Sequence, residues 1–388
     1  MNLASQKQKF FDWGYGLMIH FGLYSVYGRG EWILYKERMN PEEYRKNALP
    51  SYQPRKGCAR DWVRFAQSCG MKYVVLTTRH HDGFFIGEEI LHEYCDACCE
   101  FGLGVGLYYS VADWSDPDYR QGTAGKNWWR FVKKSHRQIL DLMNNYGKID
   151  YLFYDGTPPP ETWNVLEFHQ QIRALQPDML VTRCRADNDV ISCEQNSLGG
   201  EGLWESCYTL NDSWGYNAHD QNWKTPRELA RMLFANRHNG GNFLINIGPR
   251  ADGSIPEESV RILQKLGRWV KKNAEAIYEI IPHPFQYADQ ELSTGRKQVA
   301  YLMLIWENYG PERKITGIGN RVLKLSFLDS GEKLDFVQKK DIIQLTGLNP
   351  RGNAAMPRIL KIELDGTPVG IKNYMTPQLA MKFDGDRH

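Results

Sequence analysis

Titratable side chains close a series of short apolar runs in this chain. The runs end in Ile19-His20, in Thr78-Arg79-His80-His81-Asp82, in Tyr108-Tyr109-Ser110, in Tyr154-Asp155-Gly156 and in Thr182-Arg183, and a further run opens with Trp204-Glu205. Two carboxyl groups of opposite role, an ionised nucleophile and a proton donor, can hydrolyse a glycosidic bond with retention when they face each other across about 5–5.5 Å. Asp155 suits the nucleophile. It follows the apolar Tyr151-Leu152-Phe153-Tyr154 and precedes Gly156, so the strand ends there with its carboxylate at the rim. An Asp-Gly pair is also a common turn, but a lone carboxylate closing an aromatic-rich strand favours chemistry. For the proton donor there are Glu194, Glu201 and Glu205. Glu205 lies in a strand-like run and the other two in the loop before it, and spacing does not choose among them. His20, His80 and His81 can hold the nucleophile ionised. The His80-His81 doublet reads better as recognition of sugar hydroxyls than as a zinc site, because no Cys or carboxylate set accompanies it at ligand spacing. Neither metal nor cofactor is expected.

These residues need elements that bring them to one rim. Candidate strands run over Gly14–His20, Lys72–Thr78, Gly104–Ser110, Tyr151–Asp155, Met179–Arg183, Trp204–Thr209 and Gly241–Ile247. Amphipathic stretches lie between several of them, at Asp61–Cys69, Glu88–Phe101, Trp128–Asn145, Thr162–Leu175 and Thr225–His238. Most of the strand runs are almost continuously apolar, as strands covered on both faces must be. Alternating βα units of this kind predict an α/β fold with a parallel sheet. In a (β/α)8-like TIM barrel the C-terminal strand ends share one face, where barrel enzymes carry their active sites. After Pro282 the pattern changes to short alternating runs (Gln298–Trp306, Val322–Phe327, Ile342–Leu345, Arg358–Leu364) separated by turn residues, which predicts a C-terminal antiparallel β-sandwich. Ile281-Pro282-His283-Pro284 marks the boundary, giving a catalytic barrel over residues 1–281 and a β-sandwich over 282–388.

Composition narrows the function classes. A length of 388 residues accommodates a barrel and a smaller domain, and a formal charge of +2 gives no reason to expect nucleic acid. No segment has the apolar length of a membrane span, and Met1 to Phe10 lacks the apolar run of a signal peptide. The expectation is a cytoplasmic protein, or a secreted or periplasmic one whose signal peptide has been removed. The eight cysteines include Cys95 and Cys98, but this C-x-x-C sits in a helix without a second pair, so reduced thiols are expected. No P-loop or nucleophile elbow appears, and Gly102-Leu103-Gly104-Val105-Gly106 leads into a strand rather than a helix. The 12 Trp and 21 Tyr supply rings for sugar stacking, although most of them will fill the core.

Several blocks resemble glycoside hydrolase family 29, the α-L-fucosidases. They are Ile19-His20-Phe21-Gly22-Leu23-Tyr24-Ser25 with Glu31-Trp32, Thr77-Thr78-Arg79-His80-His81-Asp82-Gly83-Phe84, Gly106-Leu107-Tyr108-Tyr109-Ser110, Tyr154-Asp155-Gly156, Trp204-Glu205-Ser206-Cys207, Asn211-Asp212-Ser213-Trp214-Gly215-Tyr216 and Gly240-Gly241-Asn242-Phe243-Leu244-Ile245-Asn246-Ile247-Gly248-Pro249. The resemblance implies a retaining α-L-fucosidase with Asp155 as nucleophile and a fucosylated oligosaccharide or glycoconjugate as substrate. It implies fucose contacts from His20, Glu31, Trp32, His80, His81, Tyr108 and Arg183. Asp189-Val190-Ile191-Ser192-Cys193-Glu194 matches the family's acid stretch, which makes Glu194 the acid/base, with Glu205 or Glu201 as alternatives. Competing readings are a retaining glycosidase for another sugar and a non-catalytic glycan-binding protein. Two departures stand out. The segment after His80-His81-Asp82-Gly83-Phe84 is shorter than the family's, and a genuine deletion there would remove one wall of the family's pocket, while Arg183-Cys184-Arg185-Ala186-Asp187-Asn188 lacks the family's glycines.

Overall fold

The structure, a computed structural model, describes residues 2–197, 202–285, 292–304, 312–348 and 356–371. Its chain divides into two compact units, Met1–Lys224 with Asn242–Gly267, and Thr225–Gly241 with Arg268 onward.

The apolar runs of the first unit form the parallel strands β1 (Tyr15–Ile19), β2 (Tyr73–Arg79), β3 (Gly104–Ser110), β4 (Tyr151–Asp155), β5 (Leu180–Thr182), β6 (Ile191–Glu194), β7 (Trp204–Tyr208) and β8 (Gly241–Ile247). Their order is β5-β4-β3-β2-β1-β8-β7-β6, and a parallel bridge between Thr182 and Val190 joins the two edges, so the sheet nearly closes into a barrel. Every residue of β1, β2, β3 and β8 is buried, which is why these runs carry no polar alternation. Strand β6 escaped the sequence reading for the converse reason. Ile191 and Glu194 are exposed and only Cys193 is buried, so the segment shows no apolar run.

The helices are α1 (Leu3–Trp13), α2 (Ile33–Lys36), α3 (Pro41–Ala48), α4 (Cys58–Ser68), α5 (Glu88–Phe101), α6 (Trp128–Asn145), α7 (Val165–Leu175), α8 (Pro226–His238) and α9 (Glu257–Lys272). Helix α4 shows the principle that shapes the longer ones. Its buried Cys58, Ala59, Trp62, Val63 and Ala66 fall on one face at helical spacing. Helix α1 was not foreseen, and it plugs the barrel. Phe10 is fully buried with its ring 5.2 Å from Tyr73 and 5.0 Å from Tyr151, the first residues of β2 and β4, and Trp13 stacks on Tyr73 at 5.5 Å. The N-terminal mouth is therefore filled with aromatic side chains, leaving the C-terminal mouth for a site.

The connection after β2 is short but well formed. Phe85 bridges back to Arg79, Ile86 N–H donates to the Thr78 carbonyl at 2.8 Å, and α5 starts directly after Gly87.

In the second unit the strands are β9 (Ile281–Pro282), β10 (Leu292–Arg296), β11 (Val299–Met303), β12 (Arg313–Ile315), β13 (Val322–Phe327), β14 (Phe336–Lys339), β15 (Ile342–Leu345) and β16 (Ile359–Leu364). They form a five-stranded antiparallel sheet, β13-β16-β11-β10-β9, and a three-stranded one, β12-β15-β14. Leu302, Leu325 and Ile362 from the first sheet share one apolar cluster with Ile315, Ile343 and Leu345 from the second, which is the core of a sandwich. Trp306, the end of the strand run Gln298–Trp306 expected from sequence, lies outside the described residues.

Candidate active site

Asp155 is the last residue of β4, where the ladder to Ser110 of β3 ends and Gly156 turns the chain at φ 56°. Its Oδ1 accepts hydrogen bonds from Gly156 N–H at 2.8 Å and from Arg183 Nη2 at 3.1 Å. Its Oδ2 accepts from the Tyr108 hydroxyl at 2.7 Å and lies 3.5 Å from His81 Nε2. Burial pushes the carboxyl pKa up, but Arg183 above all, with the Tyr108 hydroxyl and the Gly156 amide, outweighs it and holds Asp155 below the ordinary carboxylate value. Arg183 is the permanent cation of this set. His81 is itself kept mostly neutral by burial, against the pull of Asp155.

Arg183 follows β5 directly and takes a left-handed backbone, φ 57°, as does Arg185 at 64°. These are positions glycine would fill without strain, and each costs about 1–2 kcal/mol for a side-chain-bearing residue. Local bonds offset that cost. Asn188 Oδ1 accepts from Cys184 N–H at 2.8 Å, Asp189 Oδ2 accepts from Val181 N–H at 3.1 Å and from Arg173 at 2.8 Å, and the Thr157 hydroxyl donates to the Arg183 carbonyl at 3.0 Å. The loop without glycines is thus tied into one shape. It delivers a guanidinium that meets Asp155 with one nitrogen and, through Nη1, Glu194 Oε2 at 3.2 Å with the other.

Glu194 corrects the sequence reading. It is the closing residue of β6, not a loop residue, and it lines the same cavity as Asp155 with its side chain 44% exposed. Glu205 needs a sharper correction. It is fully buried inside the barrel, accepting from Tyr151 at 2.6 Å and Tyr73 at 2.8 Å, and does not line the cavity. Burial raises its pKa to about 7. Its position leaves it unable to reach a leaving group. Glu201 lies outside the described residues.

The cavity has a volume of about 290 Å³, room for a single sugar ring. His20, Trp32, His80, His81, Tyr108, Asp155, Arg183 and Glu194 all line it. Glu31 does not. Its buried carboxylate accepts from Gly215 N–H at 2.8 Å and anchors the loop after β7. On the His81 side, Trp32 forms a wall backed by Trp114, 5.0 Å away, so this face of the pocket is walled despite the short link after β2. Burial depresses all three pocket histidines, His20 to about 4 and His80 well below its usual value, so these imidazoles are neutral at pH 7.

Sequence reasoning missed the apolar part of the lining, which comprises Met18, Phe153, Cys207 and Trp214. Met18, Phe153 and Cys207 lie in mid-strand, where inward and outward residues look alike in an all-apolar run. Trp214 sits in a loop far along the chain, and only its place in an aromatic-rich motif hinted at it. Among the described residues, His169, Cys184 and Asp187 are the one group with the chemistry and proximity of a metal-ligand set, and they lie outside the cavity lining. His169 Nδ1 and Asp187 Oδ1 are already bonded to each other at 2.6 Å, which braces the Arg183 loop.

A family model described as alpha-L-fucosidase matches residues 1–275. The human plasma alpha-L-fucosidase is 30% identical over 431 aligned residues, covering 98% of this chain and 89% of that one. The alpha-L-fucosidase of Dictyostelium discoideum is 27% identical over 70% of this chain and 71% of its own. Among solved structures, alpha-L-fucosidase isoenzyme 1 from Paenibacillus thiaminolyticus superposes with a TM-score of 0.86 at 28% identity, covering 94% of this chain and all of that one.

Proposed function

The chain belongs to the α-L-fucosidase family, glycoside hydrolase family 29, and from that premise we propose that it releases terminal α-linked L-fucose from glycans with retention, through a covalent intermediate on Asp155. The observation that carries the reading is one guanidinium, Arg183, joined to both Asp155 and Glu194 at the rim of a sugar-sized cavity. It holds both carboxylates within its own span at one cavity, close enough to flank an anomeric carbon, as a double displacement needs.

In the first step the Asp155 carboxylate attacks the anomeric carbon, the glycosidic C–O bond breaks, and Glu194 gives its proton to the departing oxygen. Glu194 must exchange Arg183 for that oxygen when substrate seats. In the second step Glu194 takes a proton from water, the hydroxide attacks the anomeric carbon, and Asp155 leaves as a carboxylate. Tyr108, Gly156 N–H and Arg183 keep Asp155 ionised and aimed throughout. The neutral His20, His80 and His81 offer hydrogen bonds to hydroxyls without adding charge. Met18, Phe153, Cys207 and Trp214 give the cavity an apolar face, which suits the methyl group of a 6-deoxy sugar and penalises the hydroxymethyl of galactose. A non-catalytic glycan-binding role is disfavoured by the presence of both carboxylates at one cavity.

Replacing Asp155 by Gly should abolish turnover of nitrophenyl α-L-fucoside, and azide should restore it with a β-fucosyl azide as product. Wild-type turnover in the variant would remove Asp155 from its role. Faster cleavage of nitrophenyl β-galactoside than of the fucoside by the unaltered enzyme would remove the assignment of sugar. Glu194→Ala should depress natural fucosides by roughly 100-fold or more while sparing aryl fucosides with good leaving groups. Equal losses on both would exclude Glu194 as the acid.

A further inference from the structure

Two of the pocket histidines are held by relays that end on backbone carbonyls, and a carbonyl can only accept. His81 Nδ1 lies 2.6 Å from Ser110 Oγ, and Ser110 Oγ lies 2.8 Å from the Ala112 carbonyl oxygen. The single hydroxyl proton of Ser110 must therefore go to Ala112, which leaves Ser110 Oγ to accept and His81 Nδ1 to carry the proton. His20 Nδ1 lies 2.7 Å from Asn246 Oδ1, while Asn246 Nδ2 lies 2.7 Å from the Trp214 carbonyl oxygen. The carbonyl fixes the amide with its nitrogen towards Trp214 and its oxygen towards the imidazole, so His20 Nδ1 is again the protonated nitrogen. His80 has no such relay, since its Nδ1 is buried with no hydrogen-bond partner among the described residues.

We propose that Ser110 and Asn246 are positioning residues that lock His81 and His20 in the Nδ1–H tautomer, so that both present a bare Nε2 to the sugar and require hydroxyls that donate. The requirement is strictest at His81, where Nε2 stands 3.5 Å from Asp155 Oδ2, a carboxylate oxygen that likewise only accepts. Two acceptors face each other there without a proton between them, and a donating sugar hydroxyl is the group that satisfies this corner. Both relays rest on the last turns of the barrel strands. Ser110 ends β3 and Asn246 is the penultimate residue of β8. The pocket thus selects hydroxyls by direction of donation as well as by position. The part that concerns the sugar rests on the fucosidase reading above, whereas the tautomers do not.

Nitrogen NMR of the full chain with 15N-labelled histidine tests the inference at pH 7 without substrate. Signals are assigned by their loss in His20→Gln and His81→Gln. Protonated Nδ1 and unprotonated Nε2 are expected for both residues. In Ser110→Ala the His81 nitrogens should move to an averaged or reversed tautomer, with Ser110→Thr restoring the original pattern, and Asn246→Ala should do the same to His20. Protonated Nε2 on either ring in the unaltered protein, or an unchanged His81 pattern in Ser110→Ala, overturns the proposal. Calorimetry with non-hydrolysable C-fucosides then reads the sugar side. At the two hydroxyls that meet these rings, fluorine, which accepts but cannot donate, should bind no better than hydrogen, each weakening binding by about tenfold or more. Fluorine binding as tightly as hydroxyl at every position overturns the donor requirement. Should fucoside cleavage itself fail, the nitrogen signals still decide the tautomers.

Discussion

At the scale of single residues, the site is an arrangement of charge held in place by neutral donors. Asp155 keeps its charge because Arg183, Tyr108 and an amide outweigh its burial. The consequence is a pH prediction with a definite sign. In the proposed mechanism Asp155 works as the carboxylate, and its pKa lies below the ordinary value, so kcat/KM should persist as pH falls through the usual carboxylate range and drop only beneath it. Arg183→Gln removes the largest group holding the pKa down, and the acid limb of kcat/KM should then move to higher pH. An unmoved limb would show that Arg183 does not set the ionisation of Asp155.

At the scale of elements, the loops after β2 and β3 act as one unit. Trp114 N–H donates to the His81 carbonyl at 2.8 Å, and Asp113 Oδ1 gathers the amides of Ser115 and Asp116 at 3.1 Å each and the Ser115 hydroxyl at 2.7 Å. Gly83 is what lets the two loops meet. It has φ 71°, and a Cβ there would stand 2.1 Å from Asp113 Oδ1. Gly83→Ala should therefore push the loops apart, lower stability by about 1–3 kcal/mol, and reduce kcat/KM by about tenfold or more through displacement of His81 and Trp114. Thermal unfolding and steady-state kinetics measure the two effects. A variant with unchanged kinetics would uncouple this junction from the pocket.

At the scale of the whole molecule, the barrel carries opposed titrations. His20, His80, His81, His136 and His169 are all depressed, chiefly by burial. The folded state therefore resists protons that the unfolded chain accepts, and stability is present above the unfolded value of 6.5 and is lost as pH falls towards about 4, where His20 and His136 titrate. Glu205 acts in the other direction. Its pKa is raised from 4.5 to about 7, so its contribution is complete below 4.5 and lost as pH rises through 7. The two trends offset each other between those limits. Glu205→Gln keeps an acceptor for one of the two tyrosines, offers an amide N–H to the hydroxyl oxygen of the other, and abolishes the second trend. The melting temperature of this variant should rise more steeply from pH 4.5 to 7 than that of the unaltered protein, by the equivalent of about 3 kcal/mol. Parallel profiles would mean that Glu205 does not titrate in this window. Among the described residues no helix is long and apolar enough to cross a membrane, and all eight cysteines are free thiols.

Much of this architecture was already written in the order of residues. Seven of the eight barrel strands, the five helices placed by periodicity and four of the eight described strands of the second unit follow from apolar runs and turn residues, and the barrel strands are the plainest because burial on both faces demands an unbroken apolar stretch. The place of Asp155 at the rim was legible for the same reason, as the carboxylate that directly closes such a stretch. Strand β6 was not, since a half-exposed rim strand needs no apolar run, and neither was the plug of α1, whose amphipathic face acquires meaning only against Tyr73 and Tyr151. Spacing left the glutamates open and the family resemblance pointed to Glu194, whereas the different placements of Glu194 and Glu205 belonged to tertiary structure. Glu194 and Glu205 are eleven residues apart on neighbouring strands, yet one carboxylate meets Arg183 at the cavity and the other is sealed among tyrosines. That outcome depends on which way each strand faces as the barrel closes, and on a guanidinium arriving from β5. No local pattern encodes either.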